Sequence, residues 1–282
     1  MKTYELNQSV AFSSEKPVKM HYNKEKDIIE VKNLTKYYGK LLAVDKINFS
    51  VKKGDIFGFL GPNGAGKTST IKILVGLLKP SSGTAIIDGK DIVKQIVEIK
   101  KTVGVVTEDS NLYDELSVAD NLRFAGQLYG VPKPEREERI NELLKRFDFE
   151  DKKDVKFSNL SRGMKRKVVI CTALMHNPRI LFLDEPTTGL DVLSVRILHT
   201  MIKDLNKMGV TIFLTTHYIE EAEHLCNTIA IIVNGKIKTV DTPKNLMLQT
   251  KSKNLEEAFI EITGLREEIM LVEKGGMIKN VQ

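Results

Sequence analysis

One stretch constrains this chain more than any other: "GPNGAGKTS", Gly61–Ser69. It satisfies G-x-x-x-x-G-K-[ST], with the apolar run "DIFGFL" before it and the helically spaced "KTSTIKILVGLL" after it. Glycines there let successive backbone N–H groups curl around phosphate oxygens. The N-terminus of the following helix adds partial positive charge. Lys67 is spaced to reach the β- and γ-phosphates of a nucleotide, and Thr68 to ligate Mg²⁺. The candidate phosphate-binding set is therefore Gly61, Pro62, Asn63, Gly64, Ala65, Gly66, Lys67, Thr68 and Ser69. The structural alternative is a glycine turn that merely opens a helix.

The other apolar runs suit an α/β protein. "RILFLDE" and "VTIFLTTH" read as buried parallel strands, with "SVRILHTMIKDLNKMG" as the crossover helix between them. "TVGVV" reads as a further strand. The short alternating runs "IIEVKNL", "LAVDKINFSV", "DIFGFLG" and "TAIIDGKDI" are separated by turn pairs such as Lys53-Gly54 and Asp88-Gly89. They predict a strand-rich, partly antiparallel lobe. Between residues 111 and 178 the pattern turns helical, notably in "VADNLRFAGQLYG" and "EREERINELLKRF". Residues 1–27 lack periodicity and are expected to be a flexible tail. A polar, helical tail is expected over 241–282.

Formal net charge is +6, with Lys and Arg spread along the chain rather than clustered. That favours a solvated basic surface, and no nucleic-acid partner is expected. Cys171 and Cys226 stand far apart in apolar neighbourhoods, as buried thiols of a reduced compartment do. No apolar run approaches the roughly 20 residues of a membrane span, and "MKTYELNQSV" lacks a secretory apolar region. A cytoplasmic chain, soluble on its own, is the expectation.

Two more segments carry chemistry. "ILFLDEP" ends an apolar strand in adjacent carboxylates: Asp184 suits Mg²⁺, and Glu185 suits a general base for the water that attacks a γ-phosphate. Alone, such a pair also fits a solvated strand terminus. "TIFLTTH" places His217 at another strand end, where it fits a γ-phosphate contact, a water-holding group or a surface histidine. His21, His176, His199 and His224 have no such placement. "LSRGMKRK" is a polar turn opening a helix, and so it too suits an anionic phosphate.

Taken together, the phosphate loop, "LSRGM", "LFLDEPTTGLD" and "TTH" occur in the order and at spacings that resemble the ATP-binding subunit of ABC transporters. The resemblance covers roughly residues 28–240. It implies an α/β fold: a P-loop nucleotide-binding core with an antiparallel β lobe and a helical lobe, the latter at about 111–178. It implies ATP and Mg²⁺ as cofactors, with ATP hydrolysis driving separate transmembrane permease subunits. Lys67, Glu185 and His217 become the catalytic set; Thr68, Glu108 and Asp184 become the metal set. Tyr38 matches the aromatic that stacks on adenine, in preference to Tyr37, and Val44 joins the nucleotide-binding set. Ser161 and Gly163 would hold the ATP of a second copy, in a head-to-tail homodimer or heterodimer. Asp191 lies at the loop that communicates between the two ATP sites.

Two departures from the family pattern stand out. Glu108 in "VGVVTE" replaces the usual Gln, and "LSRGM" replaces Leu-Ser-Gly-Gly-Gln, keeping Ser161 and Gly163 but bringing in Arg162 and Met164. Both, with "TTHYIEEAEHL" and "NLEEAFIEITG", resemble the drug- and sodium-exporting branch. That branch implies a peripheral location on the inner face of the cell membrane. The rival readings are a soluble ABC-type ATPase acting on nucleic acid or the ribosome, and a non-hydrolysing regulatory cassette. The single phosphate loop and the lack of a long coiled-coil segment weigh against the first. The presence of Lys67, Asp184, Glu185 and His217 weighs against the second.

Overall fold

The computed structural model describes residues 27–109 and 112–264. The N-terminal tail expected over 1–27 lies outside the described residues, except that Asp27 begins the first strand. In chain order, the first elements are β1 (Asp27–Tyr38), β2 (Leu41–Lys52), β3 (Ile56–Leu60), α1 (Lys67–Leu74), β4 (Ser82–Ile87), β5 (Lys90–Asp91), α2 (Ile96–Lys100) and β6 (Val103–Val106). Three helices follow, α3 (Val118–Leu128), α4 (Lys133–Arg146) and α5 (Arg162–Ala173). Then come β7 (Ile180–Asp184), α6 (Val192–Lys207), β8 (Thr211–Thr216), α7 (Ile219–Leu225), β9 (Thr228–Val233), β10 (Lys236–Asp241), α8 (Pro243–Thr250) and α9 (Leu255–Thr263).

The strands form two sheets. The larger has order β10-β9-β3-β8-β7-β6, and all its pairings are parallel except β9 with β10. Its inner strands are buried on both faces, which is why "IFGFL", "ILFLD" and "TIFLTT" read as continuous apolar runs. The smaller sheet, β2-β1-β4-β5, is wholly antiparallel. "DIFGFLG" was expected within this antiparallel lobe. It lies instead between β8 and β9 in the parallel sheet. Its local pattern of short apolar residues between turns does not distinguish the two sheets; its pairing partners, more than 150 positions away along the chain, do.

Side-chain alternation along the parallel strands gives the molecule two cores. Phe57, Phe59, Phe182 and Phe213 point to one side, where Phe49 of the small sheet joins them; Phe49 and Phe57 stack with centroids 5.5 Å apart. Leu181, Leu183, Ile212 and Leu214 point to the other side, against α3–α7. Of the polar, helical tail expected over 241–282, residues 265–282 lie outside the described residues; the part before them is helical but not wholly polar. Leu246, Leu255 and Ala258 are fully buried and Phe259 nearly so, and they join that second core, with α9 packed on α7. Their spacing along α8 and α9 forms narrow apolar stripes that a mean over a polar stretch conceals. Among the described residues no helix is long and apolar enough to cross a membrane.

Candidate functional site

Strand register brings the chemistry together. Leu60 pairs with Thr216, Asp184 with Thr215, and Val106 with Leu183. The loops after β3, β8, β7 and β6 therefore leave from one edge of the sheet, the edge where parallel α/β folds bind ligands. These are the loops carrying Gly61–Ser69, His217, Glu185 and Glu108.

The phosphate loop is held tightly against its surroundings. Gly66 has φ 102°, and a Cβ there would strike the Ala43 carbonyl oxygen. Lys67 opens α1 and is only 5% exposed. Its ammonium donates to the carbonyls of Gly61 (2.7 Å) and Pro62 (3.0 Å), and lies 3.1 Å from Glu185 Oε1. Thr68 Oγ1 donates to Asp184 Oδ1 at 3.3 Å.

The acidic pair sits in two different settings. Asp184 closes β7 and is buried; the Thr215 hydroxyl donates to its Oδ1 at 2.6 Å. Glu185 has φ 49°, the left-handed region that a residue with a Cβ seldom adopts. Its backbone N–H donates to Thr215 Oγ1 at 3.0 Å. Its Oε2 lies 2.6 Å from His217 Nδ1 and accepts from Thr188 Oγ1 at 3.3 Å. His217 is thus first of all the partner of Glu185. Thr215 and Thr188 belong to the site although the sequence alone did not single them out. They lie within the motifs "TTH" and "LFLDEPTTGLD" respectively, but their roles follow from the β7–β8 register and from the turn after Glu185, which motif membership alone does not reveal.

A cavity of about 440 Å³ opens at this edge. Asn63, Gly64, Gly66, Lys67, Thr68 and Ser69 of the phosphate loop line it with Glu185 and His217, while Gly61, Pro62 and Ala65 do not; Tyr38, Leu41, Ala43, Glu108 and Thr188 complete the lining. Tyr38 is 44% exposed, its hydroxyl is 3.3 Å from Ser69 Oγ, and the Lys36 ammonium lies 5.3 Å from its ring centroid. Tyr37 does not line the cavity. Neither does Val44: its side chain is fully buried in the core beneath. Strand alternation turns Leu41 and Ala43 outward and Val44 inward, beneath the phosphate loop.

Ser161, Gly163 and Asp191 do not line this cavity. They gather elsewhere. Ser161 caps α5, accepting from the Met164 N–H at 3.3 Å, and Asp191 caps α6, accepting from the Ser194 N–H (2.9 Å) and hydroxyl (2.7 Å). The Ser194 N–H leads in holding the Asp191 carboxyl below its ordinary pKa. Gly163 has Ser194 where its Cβ would be, and the Arg162 guanidinium lies against Gly189. "LSRGM" and "TTGLD" therefore touch each other at the surface, outside their own chain's phosphate site. Arg166 is a further residue the motifs did not mark. Its guanidinium donates to the carbonyls of Thr107 and Glu108, each at 2.7 Å.

Residues 44–188 match the family model described as ABC transporter. The chain belongs to the ABC transporter family. The linearmycin resistance ATP-binding protein LnrL of Bacillus subtilis (strain 168) is 37% identical over 241 residues, spanning 83% of this chain and 78% of that protein. The probable multidrug ABC transporter ATP-binding protein YbhF of Escherichia coli (strain K12) is 38% identical over 240 residues, 83% of this chain. The match spans only 41% of YbhF's own length. A solved ATP-binding subunit of an ABC transporter superposes with a TM-score of 0.76 at 32% identity, covering 84% of this chain and 99% of that one. A dimeric ATP-binding cassette in a post-hydrolysis state, bound to ADP and Pi, gives 0.68 at 27% identity over 76% of this chain and 98% of that one. This ABC cassette, with its α/β core, antiparallel sheet and helical part, is of the ATP-binding, ATPase kind.

Proposed function

We propose that the chain is the ATP-binding and hydrolysing subunit of an ABC exporter. The observation that carries this is the convergence, at one sheet edge, of Lys67, Thr68, Glu185 and His217 around one cavity, with Asp184 buried behind Thr68. The loop N–H groups and Lys67 bind the β- and γ-phosphates, and Tyr38 offers a flat ring at the mouth for adenine. An arriving phosphate oxygen competes with Glu185 for Lys67. Glu185, its Oε2 fixed by His217, takes a proton from the water whose oxygen attacks the γ-phosphorus, and ADP leaves with the bridging oxygen.

The donor set fits Mg²⁺. Thr68 Oγ1 and Asp184 Oδ1 are hard oxygens 3.3 Å apart, and Glu108 faces the same cavity. Among the described residues no cluster of three or more His, Cys, Asp or Glu would hold a metal alone. That suits an ion bound through one or two protein oxygens, phosphate and water. Thr68, Asp184 and Glu108 would hold it, and it would neutralise phosphate charge.

Two copies face head to tail, each cavity closed by the partner's signature turn. The solvent-facing position of the Ser161 turn supports this, as does the dimeric state of a solved relative. Exporter function is supported by relatives named for multidrug transport and linearmycin resistance. Separate transmembrane permeases are the partners, placing the chain on the inner face of the membrane. Glu185→Gln tests the core of this reading: ATP binding persists, turnover falls by roughly 10²–10⁴-fold, and an ATP-bound dimer accumulates on gel filtration. Near-normal turnover would refute it. Co-purification of a multi-span membrane protein from native cells tests the permease partnership.

A further inference from the structure

Arg166 lies on α5 three residues after Gly163, and is 7% exposed. Both its bonds go to backbone carbonyls of the loop after β6, Thr107 O and Glu108 O, at 2.7 Å each. That loop is also curled on itself, the Thr107 hydroxyl donating to Asp109 O at 2.7 Å. Glu108 faces the nucleotide cavity, whose acidic content already includes Glu185 and, beside it, Asp184. A guanidinium withdrawn from water is costly, and burial, with Arg162 adding to it, pulls the Arg166 pKa down. Glu108, Asp109 and Asp184 are the charges that oppose this. An apolar side chain would fill the same space without that cost. What it would not supply is two aligned donors and a positive charge beside Glu108.

We propose that Arg166 is a positioning residue: it clamps the backbone of Thr107 and Glu108 at the mouth of the cavity, and its charge makes a carboxylate tolerable at position 108. The charge half of this rests on the cavity being an Mg·ATP site; the clamp half does not. One helix then presents Ser161 at its N-cap and holds Glu108 from its second turn, so the signature turn and the cavity's rim move as one body.

The full chain serves for the test. In nucleotide-free protein, hydrogen–deuterium exchange is followed over residues 105–109 in wild type, Arg166→Gln and Arg166→Lys. Lysine keeps the charge but not the two-pronged fork, so exchange rises in both variants, by about fivefold or more. Next, in a Glu185→Gln background that blocks hydrolysis, ATP affinity is measured with and without Mg²⁺. Arg166→Gln weakens binding about tenfold without metal, where the surplus carboxylate meets unneutralised phosphate, and less than about threefold with Mg²⁺ present. Adding Glu108→Gln recovers most of that loss, since no surplus carboxylate is left to balance. Unchanged exchange in Arg166→Lys overturns the clamp, even if Arg166→Gln does not fold. Additive effects of the 108 and 166 changes, or equal losses with and without metal, overturn the charge balance. If the parent Glu185→Gln protein binds no ATP, the nucleotide reading itself fails and the charge half falls with it, while the exchange comparison still decides the clamp.

Discussion

Glu185 is held in a backbone conformation it would not choose, by neighbours that also prepare its side chain. Its N–H is anchored by Thr215, and its two carboxylate oxygens face Lys67 and His217. Thr215 is fully buried, and its one hydroxyl serves both acids, donating to Asp184 and accepting from Glu185. Thr215→Val keeps the shape and removes both bonds. Its expected cost is about 1–3 kcal/mol in urea unfolding, with a larger proportional loss in turnover than in ATP affinity. A stability loss with unchanged turnover would leave Thr215 a purely structural residue. This residue also marks where sequence reading stopped. "TIFLTTH" shows a β-branched strand, and any threonine there passes as strand filler; only the pairing of Asp184 with Thr215 turns it toward the acids. Lys67, Thr68, Asp184 and Glu185 were legible because motif spacing along the chain already encodes where they meet. Thr188 and Arg166 were not, because their partners are set by a turn and by packing between distant segments.

At the scale of elements, an aromatic layer packs between the sheets. Phe213 of β8 touches Phe49, Phe57, Phe59 and Phe182, with centroids 5.4–6.0 Å apart. Phe213→Ala is expected to cost about 3–5 kcal/mol by denaturant unfolding, and a cost under 1 kcal/mol would mean the layer closes around the gap. Helix α5 poses a different problem, because Ser161 is both its cap and the proposed contact to a second nucleotide. Ser161→Asp separates the two. Aspartate caps as well as serine, so stability stays within about 0.5 kcal/mol, while a carboxylate facing the partner's phosphates abolishes the ATP-bound dimer. Unimpaired dimer formation would confine Ser161 to capping. Strands β9 and β10 were not singled out, whereas β1–β8 and helices α1, α3, α4 and α6 were readable from the apolar pattern. The assignment of β3 to the parallel sheet, and the docking of α8 and α9, were not, since each depends on contacts remote in sequence.

For the whole molecule, the parallel sheet is shared by two cores, and the nucleotide cavity lies at its edge while "LSRGM" and "TTGLD" meet elsewhere. A tandem fusion of two copies tests what that separation means. Lys67→Ala in the first copy and Ser161→Arg in the second leave one complete shared site, and one trapped ATP per fusion is expected. Both changes in a single copy spoil each shared site by one face, and none is expected. The reverse order would show that each chain uses its own two loops. The surface position of Ser161 then reaches into inheritance. In the head-to-tail pair proposed above, a subunit altered at that serine would keep its own phosphate loop and still enter pairs, but would deprive its mate. In a cell expressing both alleles equally as a homodimer, only roughly a quarter of pairs would be wholly normal. Damage to "LSRGM" would therefore behave as a dominant trait, whereas loss of the whole polypeptide would behave as a recessive one.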